Sequence, residues 1–262
     1  MANYKLKTFP KSRIATIDIG EIGKRKHHVI GMFELNVTSC RETIKAHNRN
    51  EEEKISFNAW MISVIACTLK QYDDAASFLK GKKKRIVFDD INVSVIVEKN
   101  INGQKVPIPL IIEKANERSV ASIARQISDA VNEKIAENDV VLYKKQKRME
   151  KLYYSFPGFL RRYIWNYVLK HPKIAFQKMG NVAFTTVGMM GHVNGWFVPF
   201  SIHPVCFGLS TITKKPVVIN DNIEIREILN MTVLLDHDVM DGAPMARLIR
   251  DLTKNVEKGL NL

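Results

Sequence analysis

The feature that most constrains this chain is a change of hydrophobic period along its length. Apolar residues recur at helical spacing near both ends and at strand spacing between them. Phe57, Trp60, Met61, Val64, Ile65, Thr68, Leu69 and Tyr72 follow three- and four-residue steps, and Ser56 stands where a helix N-cap belongs. Ser39-Cys40-Arg41-Glu42 has the form of a capping box and predicts a helix from Ser39 to about Asn48. Two β-rich runs, 85–97 and 104–112, are separated by Asn102-Gly103, a pair that tolerates the positive φ angles of a tight hairpin. Residues 119–136 return to helical period, and further strands are predicted over 26–37, 181–187, 196–200, 205–212 and 223–235. Pro244 falls in the first turn of a last helix, with Met245, Leu248, Ile249, Leu252 and Val256 on one face. Mixed strands and helices without a Gly-, Pro- or Ser-rich linker predict an α/β sandwich on one large sheet, as a single domain over 1–262.

Apolar residues make up 45% of the chain, enough for a substantial core and against a disordered one. The longest apolar stretch, Ala59 to Leu69, contains Ser63 and Thr68 and is too short to cross a bilayer. The first residues, Met-Ala-Asn-Tyr-Lys-Leu-Lys, lack the apolar region of a secretory signal. Cys40, Cys67 and Cys206 are odd in number and far apart, with no spacing for zinc. Together these predict a cytoplasmic protein with neither a disulfide framework nor a metal.

The net charge of +13 is concentrated in one segment. Between Val140 and Gly180, ten Lys or Arg residues face Glu150 alone, so nine of the thirteen charges lie there. Phe159, Leu160, Tyr163, Ile164, Tyr167 and Val168 form a helical apolar face opposite Arg161, Arg162, Asn166 and Lys170. Such a helix either packs on the protein's own sheet with its charges solvated, or docks an anionic membrane surface, an acidic protein or nucleic acid. The first is the expectation; among partners, an anionic surface or acidic protein ranks above nucleic acid. Gly81-Lys82-Lys83-Lys84-Arg85 suits either a solvated turn or a phosphate contact.

The chemistry-bearing constellation lies near the C-terminus. An apolar strand, Met231 to Leu235, ends in Asp236-His237-Asp238-Val239-Met240-Asp241-Gly242, followed by the last helix. A strand fixes the backbone beside His237, and Gly242 lets the chain turn sharply into the helix. His-x-x-x-Asp-Gly alone is equally compatible with an ordinary hydrogen-bonded strand-end histidine.

Asp236 to Leu252 resembles the C-terminal motif of the dihydrolipoamide acyltransferases of 2-oxoacid dehydrogenase complexes and of the related chloramphenicol acetyltransferases. Ile91 to Val97, Pro107 to Ile112, Ala115 to Ile127, Phe184 to Met189 and Ile202 to Pro216 follow in that domain's order, so the resemblance spans most of 25–258. It implies a chloramphenicol acetyltransferase-like two-layer sandwich: a large mixed sheet with flanking helices, carrying a basic, aromatic-rich insertion at about 140–180. The implied activity is transfer of an acyl group between coenzyme A, as substrate, and a lipoyl-type thiol or other acceptor.

The resemblance gives His237 the role of general base toward the attacking thiol, work suited to an imidazole, which titrates near neutrality. It assigns the oxyanion donor to a hydroxyl on the strand 184–188: Thr185 first, Thr186 second. Asp241 matches a structural aspartate that pairs with an arginine, here Arg13 or Arg25. The implied assembly is a homotrimer or larger trimer-based particle with each site between two subunits; the implied partners are acyl-CoA and a separate lipoyl carrier protein, since this stand-alone form has no lipoyl domain of its own. Asp238 departs from the family, which usually carries Arg after the histidine. That departure and the missing carrier also fit a non-catalytic scaffold of the same fold.

Overall fold

The structure is a computed structural model that describes residues 2–7, 12–101, 104–132, 152–188, 191 and 194–262. Its elements run α1 (Ser12–Gly23), β1 (His28–Asn36), α2 (Thr38–Asn50), α3 (Phe57–Leu69), β2 (Phe78–Lys80), β3 (Lys84–Ile86), β4 (Val93–Ile101) and β5 (Gln104–Ile112). There follow α4 (Val120–Asn132), α5 (Gly158–Lys170), α6 (Pro172–Met179), β6 (Val182–Thr186), β7 (Val205–Ile219), β8 (Asn222–Asp236) and α7 (Gly242–Glu257).

Six strands form one mixed sheet in the order β1-β8-β7-β6-β4-β5. β6 runs parallel to both neighbours, and the other pairings are antiparallel. The expected α/β architecture, a large mixed sheet with flanking helices, is the observed one. α3 lies at the centre of the helical layer, and ten of its thirteen residues are buried. That burial explains why its apolar pattern runs almost all round the helix. Its two buried hydroxyls are satisfied: Ser63 Oγ accepts from Asn261 Nδ2, and Thr68 Oγ1 donates to the Val64 carbonyl while accepting from Asn255 Nδ2. Leu35, Val93, Phe184, Phe207, Met231 and Val233 supply the sheet's side of this core, and Leu248 and Leu252 supply α7's.

Several elements differ from their sequence-based bounds. Ser56 does cap α3, accepting from Ala59 N at 3.2 Å. α2 begins a residue before the predicted cap: Val37 is its N-cap, and Thr38 Oγ1 bonds instead to Asn36 Oδ1 at 2.8 Å. The run 85–97 divides into β3 and β4. The Ile101–Gln104 pairing joins β4 to β5 as a hairpin around Asn102-Gly103, which themselves lie outside the described residues. Residues 196–200 form no strand. They cross the sheet, where Pro199 and Phe197 press on Gly208 so closely that a Cβ there would lie 3.2 and 3.3 Å from them. β7 and β8 each extend to fifteen residues, turning at Asn220 and Asp221 with φ of 48° and 63°. Gly180 has φ +72°, and a Cβ would stand 2.4 Å from the Asn92 carbonyl; glycine alone lets β6 start against β4 there.

The basic segment corrects the expectation most sharply. α5 does not pack the face Phe159–Tyr163–Tyr167 on the sheet; those rings point outward. Its inner residues are Trp165, Val168 and Leu169, which join Ile19 and Ile22 of α1, Phe78, Phe88, and Ala175, Phe176 and Met179 of α6 in a second apolar cluster. Arg161 also turns inward. Its Nε donates to Asp18 Oδ2 at 2.7 Å, Tyr153 Oη donates to the same oxygen at 2.9 Å, and Trp165 Nε1 donates to Tyr153 Oη at 3.0 Å. A buried carboxylate needs such partners, and their geometry outweighs the simple apolar-in, charged-out pattern. Burial against this network pushes the Tyr153 phenol up to about 12. Residues 140–151 of the segment lie outside the described residues.

Candidate active site

The β8–α7 turn hangs from Asp236, the last residue of β8 and 1% exposed. Its carboxylate accepts Lys26 Nζ at 2.6 Å and the Asp238 N–H at 3.2 Å. Its carbonyl accepts the Val239 and Met240 N–H groups at 3.2 and 3.3 Å. Val239 and Met240 turn inward and are buried, and Arg85, itself 2.5 Å from Asp74, donates to the Val239 carbonyl at 3.2 Å. Arg85 is thus a prop of this turn, whereas Lys82 and Lys83 are exposed.

The turn is held to β1 as well. His237 N donates to the His27 carbonyl at 2.9 Å, continuing the ladder in which His28 faces Asp236. Asp238, the departure at the position after the histidine, bonds His27 Nδ1 at 2.9 Å. The hydrogen bond and charge of Asp238 raise the His27 pKa above the ordinary histidine value. Pinned on both sides by its neighbours, His237 carries an exposed imidazole with no side-chain hydrogen bond to another described residue. A fixed backbone with a free ring leaves a proton acceptor available at a defined place.

Beside the turn runs an apolar groove of about 460 Å³ between β1, β8 and α7. Val29, Gly31, Phe33, Leu235, Gly242 and Met245 are among its walls, and Leu235 and Gly242 bracket the turn in sequence. A slot of this size and character suits an apolar chain rather than a charged one.

Asp241 is exposed at the N-cap of α7, and its side chain caps nothing. The pairing expected with Arg13 or Arg25 is not made among the described residues. Arg25, one of the two candidates, donates instead to Asn166 Oδ1 on α5 at 3.1 Å.

Thr185 and Thr186 lie two strands from β8. Thr185 is level with Gly208, and Gly208 with Thr232. His237 is therefore five residues farther along, and at ~3.3 Å per residue and ~4.8 Å per strand the two side chains stand roughly 15–20 Å apart within one chain. Strand alternation puts Thr186 on the side of buried Phe184 and Thr185 on the other. Thr186 lines a cavity of about 480 Å³ with Arg41, Asn58, Gly188 and Ser210. Its Oγ1 accepts the Gly188 N–H at 3.1 Å, which leaves the hydroxyl proton free to donate. One chain thus presents the His237 imidazole and the threonine hydroxyls at two separate places.

The buried cysteine Cys206 belongs to neither place, and burial pushes its thiol up to about 12, unsuited to a nucleophile. Asp236 lies in the C-terminal motif and Arg85 in the basic run 81–85, but no motif marks Lys26 or His27 or gives any of the four a part in holding the turn. The available signal was an aspartate closing an otherwise apolar strand; their mutual contacts are tertiary.

Residues 25–140 and 170–262 match the family described as 2-oxoacid dehydrogenases acyltransferase (catalytic domain). Among curated proteins, the dihydrolipoyllysine-residue acetyltransferase component of the Mycoplasma genitalium pyruvate dehydrogenase complex is 24% identical over 255 residues, covering 93% of this chain and 56% of that protein. The chain spans about half the length of the curated relatives it matches. Among solved structures, a probable dihydrolipoamide acetyltransferase from Listeria monocytogenes superposes with a TM-score of 0.71 at 22% identity, covering 99% of this chain and 97% of that one. The cubic core of a pyruvate dehydrogenase multienzyme complex gives 0.68 at 13% identity, over 97% and 92%. The fold is therefore that of these acyltransferase cores, and the chain belongs to the 2-oxoacid dehydrogenase acyltransferase catalytic-domain family.

Proposed function

We propose that the chain transfers acyl groups between coenzyme A and a lipoyl-type thiol, at sites completed by a neighbouring copy. The observation that carries this reading is the free imidazole of His237 on a doubly pinned turn beside an apolar groove. His237 takes the thiol proton, the thiolate adds to the thioester carbonyl, and the tetrahedral oxyanion forms. Collapse expels the second thiolate, which recovers the proton from His237. A hydroxyl of the Thr185–Thr186 pair stabilises the oxyanion. Thr185 is the residue that the resemblance implies; the open cavity and free hydroxyl proton favour Thr186.

The distance between His237 and either threonine supports a site shared between copies, in a homotrimer or a larger trimer-based particle. Coenzyme A enters as substrate, a protein-borne lipoyl group is its thiol partner, and the reaction belongs in the cytoplasm. Asp241 takes no part in the proton transfer. The test is release of free coenzyme A from a panel of acyl-CoA thioesters with dihydrolipoamide as acceptor. Wild type turns over at least one thioester, and His237→Ala does not. A correctly assembled wild type inert toward the whole panel leaves the chain as a scaffold of this fold.

A further inference from the structure

The region between the two family-matching stretches, residues 141–169, includes α5 and has no counterpart in the family's pattern. α5 presents Phe159, Tyr163 and Tyr167 to solvent, at 69, 66 and 48% exposure. Four-residue steps place the three rings along one face. Lys170 is exposed and extends that face, and Lys173 and Lys178 are exposed on the adjoining α6. From Lys151 to Asn220 the sequence contains no Asp or Glu at all.

These rings are not outward for want of an inner face. α5 already packs the partly buried Trp165, Val168 and Leu169 against the second apolar cluster and is locked by the Arg161–Asp18 pair, so the aromatic stripe is surplus to the fold. Three adjacent exposed rings are more than the scattered apolar side chains normal on a protein surface.

We propose that α5 is a membrane-surface helix, which lays Phe159, Tyr163 and Tyr167 into the headgroup region of an anionic bilayer while Lys170, Lys173 and Lys178 contact lipid phosphates. Aromatic rings favour that amphipathic layer, and neighbouring lysines draw the helix to negative lipid. A projecting ridge enters a deformable phase without a matching pocket. Charge disfavours symmetric pairing of two copies through this face, because it would set lysine against lysine. Arg25, in the turn between α1 and β1, bonds Asn166 of α5, and the adjacent Lys26 pairs with Asp236 at the His237 turn, so binding would hold the proposed acyltransferase site close to the bilayer.

Cosedimentation of the assembled protein with two kinds of vesicle tests this: phosphatidylcholine alone, and phosphatidylcholine containing about a third phosphatidylglycerol. Wild type should partition onto the anionic vesicles at low salt, at least tenfold more than onto neutral ones, with most binding lost at high salt. A Phe159→Ser/Tyr163→Ser/Tyr167→Ser variant should lose at least tenfold while keeping its oligomeric state by light scattering. Lys170→Gln/Lys173→Gln/Lys178→Gln should lose the preference for anionic lipid. Absence of wild-type binding to anionic vesicles at low salt overturns the proposal. So does undiminished binding by the aromatic variant. Dissociation of the assembly by the aromatic variant assigns the stripe to contact between copies and overturns it too. None of these readouts depends on acyl transfer.

Discussion

Lys26 Nζ lies 2.6 Å from Oδ2 of Asp236, immediately before the candidate base in sequence. Asp236 is 1% exposed, so that ion pair compensates the burial of its carboxylate. Lys26→Met should destabilise the fold by about 3 kcal/mol, because it strands a buried carboxylate, and should release the turn that aims His237. Asp236→Asn should cost less, since an amide oxygen still accepts the Asp238 N–H. Chemical denaturation of the two variants beside wild type measures the difference; equal stabilities would show that the pair is not what supports the turn.

His237→Ala and Thr185→Ala should each fold, the first losing on the order of 10²–10⁴ in acyl-transfer rate and the second roughly 10²–10³. Unfolding the two together and refolding them mixed should restore about a quarter of wild-type activity, the fraction of interfaces that join an intact His237 to an intact Thr185. Recovery no greater than the mean of the parents means that the site is not shared in this way or that Thr185 is not the donor. Repeating the mixture with Thr186→Ala distinguishes these, and recovery there alone assigns the donor to Thr186.

Asp241 makes no ion pair among the described residues and caps no N–H of α7. Asp241→Asn should therefore shift stability by less than about 0.5 kcal/mol, the usual scale of an exposed change. A larger loss that grows with the degree of assembly would place its partner on a neighbouring copy. Thermal melts at several protein concentrations read this directly.

His203 is partly buried beside α6: its Nε2–H donates to the Met179 carbonyl at 2.8 Å, and its Nδ1 receives the Ser201 hydroxyl at 3.2 Å. Burial lowers its pKa to about 4, so the neutral ring is the folded form. The unfolded chain binds a proton at this position near pH 6.5 and the folded chain does not. Stability is thus full above about 6.5 and falls as pH drops toward 4, by about 3 kcal/mol from this group. His28, also lowered by burial, pulls in the same direction. His203→Gln should flatten the slope of unfolding free energy between pH 6.5 and 4. An unchanged slope would mean that other groups carry the acid sensitivity.

The sequence by itself determined the parts of this protein that local chemistry controls. Helical period and Ser56 located α3, Asn102-Gly103 the β4–β5 hairpin, and Pro244 the start of α7. The succession Met231 to Gly242 placed a histidine at a strand end before a turn, because an apolar strand, a charged turn and an amphipathic helix each have their own pattern. α1 escaped the same reading: Ile19 and Ile22 are useful only against α5 and α6, which lie far along the chain. Tertiary structure decided the rest. Lys26, His27 and Arg85 support the His237 turn through contacts more than 150 residues distant in sequence, which no local pattern encodes. It also chose which face of α5 turns inward. Helical spacing sets Phe159, Leu160, Tyr163, Ile164, Tyr167 and Val168 on one apolar face; Val168 of that face does pack inward, but Phe159, Tyr163 and Tyr167 face out, because the buried Asp18 carboxylate requires Arg161 on the inner side.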